Sequence, residues 1–418
     1  MTSQPRLERS LPALLEDLYL GPSPDYRDEV MVAVGHTRQR PAWTFPERWL
    51  PMADITTRLS FAPRLPLRAL GLALLVLALI AAGLLIYFGS QDRYPAPFGP
   101  AGNGLIPFVS GGDVYLGDPV AGSARLLVGG PENDALVGTS PDGARLAFIR
   151  EIHTAGGASP LDIYVVRMDG SDPHRITQQP IADLQVASWT PDGTRLAVVH
   201  QDKLDLLDAA GSGSVARIPT TGGIDSLQFR PPDGREILYR ALVDGKYGLY
   251  VMDLNGTPLR TLVEPTIANM DLDLGGAVYS ADGGRIFYQR ADAGGCCRLW
   301  TMNADGTNGH EFVPAPLPAW QGQPVVSPNG AWIAFWRVMD STQSVSVVRA
   351  DGNGPVISTG PKLTDTANWV WAPDSSKILM YPNDGSSTSA YLLDPSGGPW
   401  STVPWGSDAD LDWQRILP

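Results

Sequence analysis

One twelve-residue pattern recurs along the chain and limits the folds open to it. It reads TSPDGARLAFIR at Thr139, WTPDGTRLAVVH at Trp189, FRPPDGREILYR at Phe229, YSADGGRIFYQR at Tyr279, VSPNGAWIAFWR at Val326 and WAPDSSKILMYP at Trp371. Pro presets φ at the first central position of a turn, Asp or Asn takes the next, and Gly accepts positive φ. The unit is therefore a tight turn between two antiparallel strands, the second of them rich in β-formers. A further strand ends in another turn, as in IYVVRMDG, LYVMDLNG, LWTMNADG, SVVRADG and YLLDPSG. A short fourth strand such as HRIT or LRTLV follows. Four strands in every roughly 40–50 residues is the signature of a propeller blade.

Six copies carry the turn. The stretch GLIPFVSGGDVYLGD, Gly104 to Asp118, has the later strands of a seventh copy but none before them. Asp410 to Arg415, DLDWQR, matches what precedes each turn, with Trp413 at the place of Trp189 and Trp371. The end of the chain is thus expected to complete the first blade and leave no open sheet edge. The fold class predicted for 104–418 is mainly β, a seven-bladed propeller of four-stranded blades. A six-bladed ring is the alternative if the first unit is irregular.

Ahead of the repeats stands an uninterrupted run, Ala69 to Phe88, apolar or Gly throughout except for the Tyr87 hydroxyl. About 20 residues at ~1.5 Å each match the thickness of a bilayer core, which predicts one transmembrane helix over 69–88. Arg58, Arg64 and Arg68 precede it and Arg93 alone follows. That bias predicts a cytoplasmic N-terminus and an extracytoplasmic propeller at the cell membrane. A cleaved signal peptide is disfavoured by the length of the run and by the 68 residues before it. Residues 1–68 read as a cytoplasmic segment. LPALLEDLYL carries leucines on one helical face, and a second helix is expected from the Ser23 cap to about Thr37. The Pro-rich stretch with Trp43, Phe45 and Trp49 packs on these helices, or lies against the membrane or a partner. Residues 89–103, chiefly DRYPAPFGPAGN, read as a stiff Pro/Gly linker.

Charge narrows the partners. The chain carries a net −13, while residues 1–68 hold nine arginines, no lysine and eight acidic residues. Nearly all the negative charge falls on the predicted propeller, which argues against nucleic acid or anionic lipid as its partner. The two cysteines, Cys296 and Cys297, are adjacent. Neighbouring strand residues point to opposite faces, so a vicinal disulfide requires a local kink, and two free thiols are the alternative.

No catalytic constellation is present in the sequence. There is no G-x-S-x-G elbow, and the five histidines, His36, His153, His174, His200 and His310, are scattered without metal-ligand spacing. The aspartates at D-G positions are explained by turn geometry, without the spacing of a calcium loop. No cofactor is expected. One set recurs at the end of each second strand: Arg150, His200, Arg240, Arg290 and Arg337. These are surface charges answering nearby acids, or else an electropositive ring for an anionic ligand at the channel mouth.

The repeats resemble the WD40-like β-propeller units of the bacterial TolB type, whose signature reads W-S-P-D-G-x-x-[IL]-A-F followed by I-Y-V-M-N-x-D-G. The resemblance runs from Gly104 to Pro418 and is carried by Ser140–Phe148, Trp189–Val198 and Leu299–Gly306, with departures at Val326, Asn329 and Ser375. The layout also looks like bacterial single-pass propeller proteins with a similar RQRPAWTFPERWLPM stretch, some of them thought of alongside membrane anti-sigma factors. The single anchor, the charge bias and the lack of catalytic groups predict a non-enzymatic sensor or scaffold: a propeller that binds a protein, peptide or envelope glycan, tethered to a cytoplasmic segment that in a regulatory version captures a regulator such as a sigma subunit. The alternative is a propeller enzyme of lactonase or lyase type with its site in the central channel.

Overall fold

The computed structural model describes residues 75–76, 98–153, 159–201, 203–219, 223–264, 276–291, 297–313, 319–339, 342–363, 367–382, 389–406 and 411–417. The chain divides into two compact units between Gln91 and Asp92. In the first, Leu75 and Val76 are helical and exposed. No helix among the described residues is long and apolar enough to cross a membrane. The rest of the run over 69–88, and the helices and aromatic cluster expected in residues 1–68, lie outside the described residues.

The second unit is a seven-bladed propeller. Blade 2 is built from Asp134–Thr139, Arg145–Glu151, Leu161–Arg167 and His174–Arg175, in that order from the axis outwards. Blade 3 follows with Leu184–Trp189, Arg195–His200, Lys203–Asp208 and Ser214–Pro219, and blade 4 with Gly223–Phe229, Glu236–Val243, Lys246–Asp253 and Pro258–Val263. Blade 5 runs from Val278–Tyr279 to His310–Glu311, blade 6 from Ala319–Val326 to Ile357–Leu363, and blade 7 from Ala367–Trp371 to Ser401–Thr402. All pairing is antiparallel. Blade 1 has three consecutive strands, Ile106–Ser110, Asp113–Gly117 and Ala124–Val128. Its innermost position is taken by the end of the chain: Phe108 bridges Leu411, Asp412 N–H donates to the Pro107 carbonyl, and Gln414 N–H to that of Leu105. The ring is closed with seven blades, not six.

The core is divided among the gaps between blades. Leu146 and Phe148 of blade 2 meet Val109, Val114 and Leu116 of blade 1, and equivalent clusters fill each following gap. The seventh cluster joins Ala372, Leu379 and Trp405 of blade 7 to Ile106, Phe108 and Trp413 of blade 1. Second and third strands are buried on both faces, which is why LAF, AVV and IAF are apolar without alternation.

The recurring turn explains its own sequence. Ser140 Oγ donates to Asp142 at 2.5 Å and accepts the Arg145 N–H at 2.9 Å, while Gly143 takes φ 69°. Thr190 and Asp192 repeat this at 2.6 Å. The sequence departures keep the geometry: Asn329 accepts from Ser327 at 2.7 Å as an aspartate would, and Ser375 adopts φ 67° where glycine stands elsewhere. The tryptophan before the turn joins blades. Trp189 Nε1 donates to the Gly138 carbonyl of blade 2 at 2.9 Å, and Trp371 Nε1 to Val325 of blade 6 at 3.0 Å.

Phe98 to Asn103, read from sequence as the end of a stiff Pro/Gly linker, belong to this unit. Gly102 and Asn103 pair with Ile416 and Arg415, Ala101 N–H donates to Pro373, and Arg415 Nη2 donates to the Gly99 carbonyl at 2.6 Å. The main-chain groups of Arg415 and Ile416 find their pairing partners in this stretch.

Candidate functional site

The innermost strands line an axial channel. On the side where these strands begin, it holds a cavity of about 530 Å³ walled by Leu136, Val278, Gln323, Asn368, Trp369 and Asp412, among others. On the side of the Pro-Asp-Gly turns, a second cavity of about 380 Å³ is lined by Thr139, Trp189, Gln228, Trp371 and Trp413, with Phe98 of the incoming chain at its wall. Asp412 borders both cavities.

Local irregularities put the polar groups there. In blade 6 the register shifts by one residue between Gly322 and Val325, and Gln323 takes φ 50°. This bulge, marked in sequence by the Pro324 that no regular inner strand holds, turns Gln323 into the channel wall. Trp369 stacks on Trp336 at 5.6 Å and 18°, which fixes the indole plane. Asp412 Oδ2 accepts the Thr139 N–H at 2.6 Å and the Thr139 hydroxyl at 2.8 Å. It is the one carboxylate among the described residues lining the channel, and it serves to hold blade 1 to blade 2. Amides, an indole face and aliphatic side chains make a wall suited to non-covalent recognition of a neutral polar chain. Asp412 stood in the closing DLDWQR stretch, but Gln323, Asn368 and Trp369 did not stand out in the sequence, because the inner strands are where the repeats differ most.

The basic residues expected at the channel mouth line no channel cavity. Counting from the residue paired with the end of each inner strand, Arg150, His200, Arg290 and Arg337 are equivalent, while Arg240 falls one residue earlier. It therefore emerges on the opposite blade face. Arg150 makes a two-pronged pair with buried Asp134 at 2.7 and 2.8 Å, and Arg240 one with Asp225 at 2.7 Å for each prong. The Asp134 contact, larger than the opposing effect of burial, raises the Arg150 pKa. Arg240 and Arg290 do meet, on facing walls of a narrow slot of about 40 Å³ between blades 4 and 5, where Arg240 lies over Tyr247 and Arg290 over Trp300. His200 Nε2 lies 3.0 Å from Asp205. Arg337 lies across from Gln321 at the gap between blades 5 and 6. The set is spread over four gaps between blades, with Arg240 and Arg290 sharing one. Cys297 opens the third strand of blade 5 and is buried, whereas Cys296 and hence the vicinal pairing lie outside the described residues.

No protein-family model matches the chain, and no curated protein does. Solved structures are similar in fold. An oligogalacturonate lyase in complex with manganese aligns at 13% identity over 72% of this chain and 84% of its own, with a TM-score of 0.53. The β-propeller domain of the Trilobed protease from Pyrococcus furiosus aligns at 13% identity over 75% of this chain and 98% of its own, with a TM-score of 0.51. TolB from Acinetobacter baumannii aligns at 17% identity over 74% and 81%, with a TM-score of 0.47. At such identities the likeness is one of architecture alone: the chain is a β-propeller.

Proposed function

We propose that the propeller is a non-enzymatic binding and sensing module, held at the cell membrane by the run over 69–88 with residues 1–68 on the cytoplasmic side. Its ligand is an extended peptide or envelope glycan seated in the axial channel. The observation that carries this reading is the course of the closing strand. Leu411 and Asp412 line the channel, and three residues on, Arg415 and Ile416 hold Gly99, Gly102 and Asn103 of the chain that arrives from the apolar run. One strand thus touches both the ligand space and the tether. A ligand that engages Asp412 competes with Thr139, and the strain passes along a continuous hydrogen-bonded segment to the linker.

The wall chemistry supports binding over catalysis. A lactonase or lyase site would draw on several inward Asp, Glu or His groups, and the described wall offers Asp412, already committed to Thr139. The test is capture from intact membranes with separate tags at the two ends of the full chain. Trp369→Ala with Asn368→Ala should lower crosslinking of envelope partners to the propeller at least tenfold while the domain, destabilised by the lost Trp336 stack, still melts in one cooperative step, and change what the N-terminal tag enriches, a sigma-type regulator by this reading. Undiminished capture by the double variant would sink the channel as the binding site.

A further inference from the structure

A second cleft lies off the channel, between blades 2 and 3. It encloses about 350 Å³ and is walled on one side by the connector Thr177–Ala182 and on the other by His200, Gln201, Lys203, Asp205, Leu207 and Arg217. His200 is paired with Lys203 across the second and third strands, and Asp205 with Arg217 across the third and fourth. Val198 and Leu207 of the same face pack towards blade 2, so strand alternation sends His200, Lys203, Asp205 and Arg217 to that side together.

The cluster has a buried anion and a surplus of cationic groups. Asp205 is 3% exposed and receives Arg217 Nε at 2.8 Å, Arg217 Nη2 at 2.9 Å and His200 Nε2 at 3.0 Å. Burial pushes the Asp205 carboxyl up, but the Arg217 and His200 contacts outweigh it and hold the group below the usual carboxylate range. A carboxylate accepts only, so the His200 proton sits on Nε2 and Asp205 fixes the ring. Arg217 uses Nε and Nη2 on Asp205, which leaves Nη1, and its side chain is 59% exposed. Lys203 has no ion pair among the described residues. Asp183 at the end of the connector is exposed and accepts from Gln185 at 3.3 Å. In a unit that carries the net negative charge of a −13 chain, a cleft where Arg217 balances Asp205 and Lys203 stands beyond that pair beside an oriented imidazole is an exception that solubility does not explain.

We infer that this cleft binds a phosphate-type oxyanion, with Lys203 and the outer edge of Arg217 as its charged contacts and Asp205 as the group that positions Arg217 and His200. The inference is independent of the channel reading. Two sources share this chemistry, a free phosphate or phosphate monoester and the diester headgroup of a lipid. The purified full chain in detergent would be titrated calorimetrically with inorganic phosphate and, separately, with soluble dihexanoyl phosphatidylglycerol, at constant ionic strength set with chloride. Saturable binding of either probe at one site per chain is expected, and the probe that binds identifies the source. Lys203→Glu should weaken it at least tenfold with an unchanged melting curve, while Lys203→Arg retains it. His200→Gln, whose amide also donates to Asp205, separates the imidazole from the fold. No saturable binding of either probe, or equal binding by Lys203→Glu, overturns the inference.

Discussion

At the scale of single residues, the repeating tryptophan shows how one side chain does two jobs. Trp189 fills the gap between blades 2 and 3 and its indole N–H reaches the Gly138 carbonyl, next to the bulge at which the blade 2 register shifts. Trp189→Phe keeps most of the apolar volume and strands that carbonyl, so it should lower stability by about 1–3 kcal/mol. A denaturant midpoint that does not move would refute the role of the indole bond. The aspartates of the turns are equally specific. In Asp142, Asp192 and Asp282 burial works to raise the pKa, yet the adjoining hydroxyl and main-chain N–H groups win and hold the carboxyl below the usual carboxylate range. A carboxyl lowered in the folded state contributes stability above its unfolded value and loses it as pH falls through the folded one. Stability should therefore be level from pH 7 to 5 and decline on acidification below about 4. Asp142→Asn, the arrangement Asn329 already uses, should flatten that decline, as urea titrations across the range would show.

At the scale of the element, the strand and turn pattern was legible because each turn residue has a local reason to be there. P-D-G specifies a geometry whatever surrounds it, and the second strands read as buried because both faces meet another blade. Inner strands were less legible. The bulge at Gln323 and the pair Asn368–Trp369 depend on where each strand lies around the axis, which no local pattern encodes. The same limit applied to Arg240. Its place at the twelfth position of the recurring pattern aligned it with Arg150 and Arg290, but the extra residue in R-P-P-D-G shifts it by one position after the turn, and one position in a strand reverses the face. His200, grouped with those arginines by position, proved to belong to a different cluster, since Asp205 and Arg217 reach it through pairing of later strands.

At the scale of the whole molecule, the ring closes on its own tether. Leu411 to Ile416 completes blade 1, fills the gap to blade 7 through Trp413, lines the channel through Asp412 and clasps Gly102 and Asn103. The sequence foretold the closure through DLDWQR, but not the clasp, because a Pro/Gly stretch carries no pairing signal of its own. Without the last strand, blade 1 loses its inner edge, the seventh core cluster loses Trp413, and the channel loses its carboxylate. The direct measurement is thermal unfolding, with small-angle scattering, of the full chain and of a variant ending at Asp410. The variant should lose the single cooperative transition and expand, with added phosphate or channel ligands unable to restore it. A truncated chain that melts in one step at the parental temperature and keeps its radius would contradict closure by the last strand.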